Sequence, residues 1–275
     1  GVVVELLDKP PKPVDTKPII EVYGPRSSES DMLSLQKLSA ENVSDLRWAA
    51  ARLAPTHGKS AEAKSYGEVT SLAPEELELV YDKAPGLRNV ILRPGFLTPE
   101  LVAAHEILRI HKANPQGQVL VMCPTLFEVQ QIMKLLPTGV GHLDESRDKH
   151  AWRSFCESTL KIAVTTNVGS WYAAPDLAGI VVVEENMHSH RTKTAPSIHN
   201  RDAALARADA AENITLSLIT ANPSPQALGM ADITVLQPSL ASGEAAGEIR
   251  FISEIEGMHM MPNELYSEMQ NREEE

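Results

Sequence analysis

The sequence predicts an α/β protein built on a parallel sheet that is covered on both faces. Two observations carry this. Between Val90 and Leu236, short apolar runs such as "QVLVMCP", "KIAVTT" and "GIVVVEE" recur, and they are apolar nearly throughout rather than at alternate positions. Strands of that kind are buried on both sides, as in a parallel sheet wound with helices above and below. The runs also alternate with longer stretches of helical periodicity, such as "TPELVAAHEILRIHKA". Doubly wound sheets of this class bind ligands at the carboxyl ends of their strands.

The elements follow in order. Residues 1–30 read as a linker and short strand: Pro10, Pro11, Pro13 and Pro18 favour an extended chain, and "IIEVY" follows. Residues 31–87 read as a helical segment. In it "LSAENVSDLRWAAARLA" is a helix capped by Ser39, with Val43, Leu46, Ala50 and Leu53 at helical spacing. A polar loop, "THGKSAEAKSYGE", separates it from a second expected helix, "APEELELVYDKA", closed by Pro85 and Gly86. The parallel-sheet lobe is expected over 88–238. "NVILR" is its first strand, and Thr98 caps the next helix, with Pro99 in its first turn. "TLFEVQQIMKLL", "RDKHAWRSFCEST" and "HNRDAALARADAAE" are further helices. "VGHL" is a short edge, and "ITLSLIT" is the last strand predicted in the lobe. Residues 239–275 read as a flexible joint, "SLASGEAAGE", a further strand and an amphipathic helix with an acidic tail.

Composition narrows the function. The net charge of −12 argues against a surface that is basic throughout and holds nucleic acid by bulk electrostatics. A local basic strip remains compatible with it. No apolar run reaches the roughly 20 residues a membrane span needs, and no secretory segment opens the sequence. A cytoplasmic protein without membrane partners is expected. The first residue is Gly1 rather than Met, which suggests a tag scar or an excised fragment of a longer chain. Cys123 and Cys156 are too few for a disulfide framework or a four-thiolate zinc site, and both read as buried small apolar residues. His188 and His190 have no helical metal spacing, and no metal is expected on them.

Two tests bear on nucleotide chemistry. A phosphate loop needs several glycines and a Lys between the first strand and its helix. Here "NVILR" leads into "PGFLTPEL", which keeps only Gly95 and Thr98 as a nucleotide-like loop. A bare Gly58-Lys59-Ser60 lies in the polar loop, and no strand precedes it. The second test is the acid pair at the end of "AGIVVVEENMHSH". Hydrolases of this class place an Asp there to hold Mg²⁺ and a Glu to aim water. Val183 stands at the Asp position, Glu184 and Glu185 follow, and Asn186 stands where a coupling His would be. Glu184 and Glu185 therefore read as an exposed strand end with vestigial roles at most. No catalytic residue and no cofactor are expected, and ATP and Mg²⁺ are expected to bind poorly.

Four segments together resemble the first motor lobe of the primosomal protein N′ (PriA) family of superfamily 2 helicases. They are "QVLVMCPT", "IAVTTNVGSWYAAPDLAGIVVVEEN", "APSIHNRDAALARA" and "LSLITANPSPQAL". Pro196, His199, Arg201, Asp202, Arg207, Ala208, Ala221, Pro223 and Ser224 match the family pattern. The resemblance implies a RecA-like lobe. It also implies a role in DNA replication or replication restart, with forked or single-stranded DNA, or replication and primosome proteins, as partners. The departures are as informative as the matches. The phosphate-loop Lys is missing, Val183 and Asn186 replace Asp and His, Asn167 replaces an Arg, and Asn222 replaces a Thr. Actinobacterial members are similar in having lost these motifs, so the resemblance implies a pseudo-helicase. "EIRFISEIEG" resembles the start of that family's second lobe, and "LSAENVSDLRWAAARLA" the end of its winged-helix region.

Candidate DNA contacts follow from this: Thr166, Asn167, Trp171, Arg191 and Lys193. The strip "HSHRTKT", with Arg201 and Arg207, is the best local positive patch, and its His residues are expected to add charge below pH about 6.5. It reads either as a solvated face or as a phosphate contact. Trp171 and Tyr172 either pack their loop onto the sheet or stack on bases. His199, Arg201 and Asp202 read as structural, with Asp202 favourable at a helix amino end. The competing function is a protein-interaction scaffold on a helicase fold, with no nucleic-acid role.

Overall fold

The computed structural model describes residues 63–70, 79–143, 149–167, 169–191, 198–211 and 213–240, with Ser30, Asp31, Leu33, Ser34 and Lys37. Its centre is a seven-stranded sheet formed by β2 (Arg88–Leu92), β3 (Gln118–Met122), β4 (Val140–His142), β5 (Ile162–Thr165), β6 (Leu177–Val183), β7 (Thr215–Thr220) and β8 (Ile233–Leu236). Their spatial order is β4-β5-β3-β6-β7-β2-β8, and every pairing is parallel. The helices are α1 (Pro99–Ala113), α2 (Leu126–Leu135), α3 (Lys149–Cys156), α4 (Asn200–Asp209) and α5 (Pro225–Leu228). This is the doubly wound parallel α/β class that the sequence predicts.

Alternation along each strand builds two cores. Val119, Val121, Val181, Val183 and Ile219 pack on one face with Val102, Ile107 and Ile110 of α1 and Val129 and Ile132 of α2. Leu120, Met122, Ile180, Val182 and Leu218 pack on the other with Trp152 and Phe155 of α3 and Ala204 and Ala208 of α4. Residues i and i+1 of a strand point to opposite faces, so a run apolar at both parities serves both cores. Gly179 shows how closely α1 approaches: a Cβ there would lie 2.5 Å from Ile110 Cγ2.

Helix starts follow local chemistry. Thr98 accepts from the Leu101 amide, with Pro99 in the first turn. Thr125 and Glu128 form a reciprocal capping box on α2. His199 caps α4 by accepting from the Arg201 amide.

Three expectations need correction. Leu79–Tyr81, expected within a helix, is strand β1, and it pairs antiparallel with β9 (Pro238–Leu240). The period-two burial of "LVY" explains this: Leu79 is buried, Val80 exposed, and the Tyr81 hydroxyl donates to Glu106 of α1 at 2.9 Å. Ser239 and Leu240, expected in a joint, are the partners of Val80 and Leu79. Finally, β8 extends the parallel sheet by a strand that the apolar pattern of "ITVL" did not single out. The Pro-rich linker, the helix capped by Ser39, Gly58 to Ser60 and everything after Leu240 lie outside the described residues.

Candidate functional site at the carboxyl edge of the sheet

Strands β6, β7 and β2 are neighbours, and the ends of β6 and β2 carry the acid pair and the nucleotide-like loop, while Thr166 and Asn167 follow β5. After β2, Arg93 turns toward β6. Its guanidinium lies 2.7 Å from Glu184 Oε1 and also donates to the Leu97 carbonyl at 2.8 Å. The loop it braces holds Gly95, which is exposed, with open space where a Cβ would stand. Thr98 spends its hydroxyl on the cap of α1. A cation is therefore present beside this loop, but it belongs to Arg93 and is already paired.

The acid pair is not an exposed strand end. Glu184 is only 16% exposed in its side chain and takes a left-handed backbone at φ 51° to reach Arg93. Glu185 is fully buried. One carboxylate oxygen accepts from the Ser224 amide at 2.7 Å. The other accepts from the Ser224 hydroxyl at 2.9 Å and from Arg201 at 3.2 Å. The reason is non-local: Ser224 follows β7 and Arg201 opens α4, and only the fold brings both onto Glu185. Val183 is wholly buried in the apolar core, and its carbonyl accepts from His190 Nε2 at 2.7 Å. Among the described residues, no group of three or more His, Cys, Asp or Glu could hold a metal ion.

The expected basic strip is largely neutralised. Arg207 is buried, paired with Asp31 at 2.8 Å, and donates to the Ser170 carbonyl at 2.8 Å. Arg201 is buried between Glu185 and Asp202. His190 does not add the charge expected of it below pH 6.5, and neither does the neighbouring His199. Burial pushes His190 below its ordinary value, and burial with the neighbouring Arg201 pushes His199 down to about 4. A neutral His190 fits its bonds: Nε2 donates to Val183, and Nδ1 accepts from Asn200 at 3.0 Å. Arg191 is exposed, while Lys193 lies outside the described residues.

The other candidates separate. Asn167 meets Arg191, donating to its carbonyl at 3.3 Å, and Thr166 is half-buried beside it. Trp171 and Tyr172 are buried, and Tyr172 makes an edge contact with Trp152 at 6.5 Å between ring centres. Packing, not base stacking, is what these rings do here. Burial raises both thiols, Cys156 to about 12, so neither is a ready nucleophile. Sequence reasoning missed Arg93, and missed Ser224 and Asn200 as partners. A charged residue directly after each of two parallel apolar runs, Arg93 and Glu184, was the available sign.

No family model matches the chain, and no curated protein is significantly similar to it. Solved structures resemble it in part. The Hef helicase domain of Pyrococcus furiosus shares 17% identity at a TM-score of 0.39, over 55% of this chain and 35% of that one. The DUF1998 helicase MrfA, bound to DNA and AMPPNP, shares 15% identity at a TM-score of 0.32, over 50% of this chain and 20% of that one. The chain thus spans about a third and a fifth of these two structures.

Proposed function

We propose that this chain is a helicase-like module that does not hydrolyse nucleotide. It acts in DNA replication or replication restart, in the cytoplasm, by contacting forked or single-stranded DNA or primosome proteins. The observation that carries the inactive reading is the state of the acid pair. A metal-holding or water-aiming carboxylate needs oxygen lone pairs turned to the ligand. Both oxygens of Glu185 are held by Arg201 and Ser224, Glu184 is held by Arg93, and Val183 has no side-chain oxygen. The replication reading rests on the four ordered segments that resemble the primosomal protein N′ family.

The second reading, an interaction scaffold, draws on the apolar side chains along the same edge. Phe96 follows β2, Leu126 and Phe127 follow β3, and Met187 follows β6, and all four are exposed. The −12 charge points the same way. Titration of the purified chain with labelled fork DNA at 50 and 200 mM salt separates the two. A DNA-binding module loses affinity steeply with salt, by an amount set by its phosphate contacts. No saturable binding at either salt leaves the scaffold.

A further inference from the structure

A cavity of about 210 Å³ opens beside the buried acid pair, lined by Asn186, His188, Arg191, His199, Arg201, Ser224 and Gln226. Every lining side chain is polar, two are guanidinium groups, and none is a carboxylate. No acidic side chain faces this cavity, although the net charge of the chain is −12. We infer that this cavity is an oxyanion site that takes a phosphate group.

Three features support the assignment. Arg191 is exposed, and among the described residues no side chain meets its guanidinium. Its position is nonetheless held: Asn167 grips its carbonyl at 3.3 Å, and its backbone bridges that of His199. Arg201 is fixed more rigidly. Four of its N–H donations go to Glu185, Ser224 and Asp202, which leaves one for the cavity. The guanidinium is thereby locked in orientation before any ligand arrives. A pre-set fork of this kind suits phosphate oxygens, which accept paired N–H bonds. The amino end of α4 borders the cavity through His199 and Arg201, adding the positive end of a ten-residue helix.

Neutral donors complete the lining. Gln226 and Asn186 each offer an amide group, and His188 offers a ring N–H in either tautomer. His199 stays uncharged near neutral pH because its pKa lies at about 4. The buried Glu185 sits behind Arg201, not in the lining, and its charge is met by Arg201 and Ser224. A divalent cation would find no carboxylate here, whereas an oxyanion finds two guanidinium groups and several neutral N–H donors. The phosphate can come from a free phosphate compound or from the backbone of a nucleic-acid strand. The site does not depend on the module meeting DNA.

The experiment uses the full chain, with calorimetric titration of pyrophosphate and fluorescence titration of labelled oligodeoxythymidylate. Arg191→Gln removes the exposed guanidinium without touching the core, and Lys112→Gln, at the far end of α1, controls for general charge. The expected result is saturable binding of at least one probe, weakened about tenfold or more by Arg191→Gln and unchanged by Lys112→Gln. Binding of pyrophosphate alone assigns a free phosphate compound. Binding of the oligonucleotide, with a salt slope that falls by about 1 in Arg191→Gln, assigns a strand phosphate. Binding of neither probe overturns the site, as does equal binding by wild type and Arg191→Gln. DNA binding that ignores Arg191, with no Arg191-dependent binding of pyrophosphate, would leave the DNA reading standing and remove the oxyanion site. Pyrophosphate binding without DNA binding would do the reverse.

Discussion

Glu185 accepts from both the amide and the hydroxyl of Ser224, at 2.7 and 2.9 Å, and so ties the end of β6 to the start of α5. Arg201 closes the group from α4 at 3.2 Å. Three elements distant in sequence are joined at one fully buried carboxylate. Removing it leaves the buried Arg201 guanidinium with Asp202 alone as counter-charge and takes the acceptor from the Ser224 amide. Glu185→Ala is expected to lose about 3 kcal/mol of stability, and Glu185→Gln less, since an amide oxygen still accepts. Urea unfolding of the two variants measures this. Losses within about 0.5 kcal/mol, the range of ordinary surface changes, would mean the group contributes little.

Nucleotide turnover is expected to be absent. A transferring phosphate needs a cation and a metal, and the cation beside the loop after β2 is Arg93, which is paired with Glu184. A phosphate-release assay with DNA present should show no activity above buffer. DNA-stimulated turnover that vanishes in Glu184→Gln would contradict this. Val183→Asp should not create Mg²⁺-ATP binding. Val183 is wholly buried among Val121, Val181 and other apolar residues, so a charge there should instead cost several kcal/mol.

Asp31 and Arg207 form a second buried pair, 2.8 Å apart, across 176 residues of sequence. Asp31 also accepts from the Ala174 amide at 3.4 Å. Asp31→Ala should destabilise the lobe by about 3 kcal/mol, read as a lowered melting temperature. A melting temperature that does not move would show that the lobe does not need this tie.

Acid should weaken the fold through His199. Its folded value of about 4 lies below the ordinary 6.5. Above pH about 6.5 the ring is neutral in both states, and its contribution to stability is fully present. As pH falls from about 6.5 to 4, the unfolded chain takes the proton and the native chain does not, so stability is lost by up to about 3 kcal/mol. His199→Asn keeps a capping side chain and should flatten this dependence. Unfolding free energies at pH 7, 5.5 and 4.5 test it, and an unchanged slope in the variant would reject His199 as the source.

DNA binding, if present, is expected to run along Thr166, Asn167 and the Arg191 to Lys193 strip. Arg191→Glu with Lys193→Glu should abolish fork-DNA binding while melting shifts little, since Arg191 is exposed and an exposed charge change costs within about 0.5 kcal/mol. Wild-type binding should show the shallow salt slope of about 2–3 phosphate contacts. Unaltered affinity in the double variant would favour the scaffold reading.

The sequence by itself determined the parallel sheet, its strands from β2 to β7, the cap at Thr98, and the departures at Val183 and Asn186. These are local matters. An apolar run, a capping side chain or a missing oxygen can be read from neighbouring residues. Burial of Cys123 and packing of Trp171 were within the same reach. Only the tertiary structure decided which charges remain exposed. Arg201, Arg207 and Arg191 look alike in sequence, yet two are buried against Glu185 and Asp31 while the third is exposed. Strand β1 was hidden for the same reason. Its partner β9 lies more than 150 residues away, so its hydrogen bonds leave only a weak period-two trace in the local pattern. A residue's charge is local, whereas its partner and its exposure are set by elements that the chain brings together only on folding.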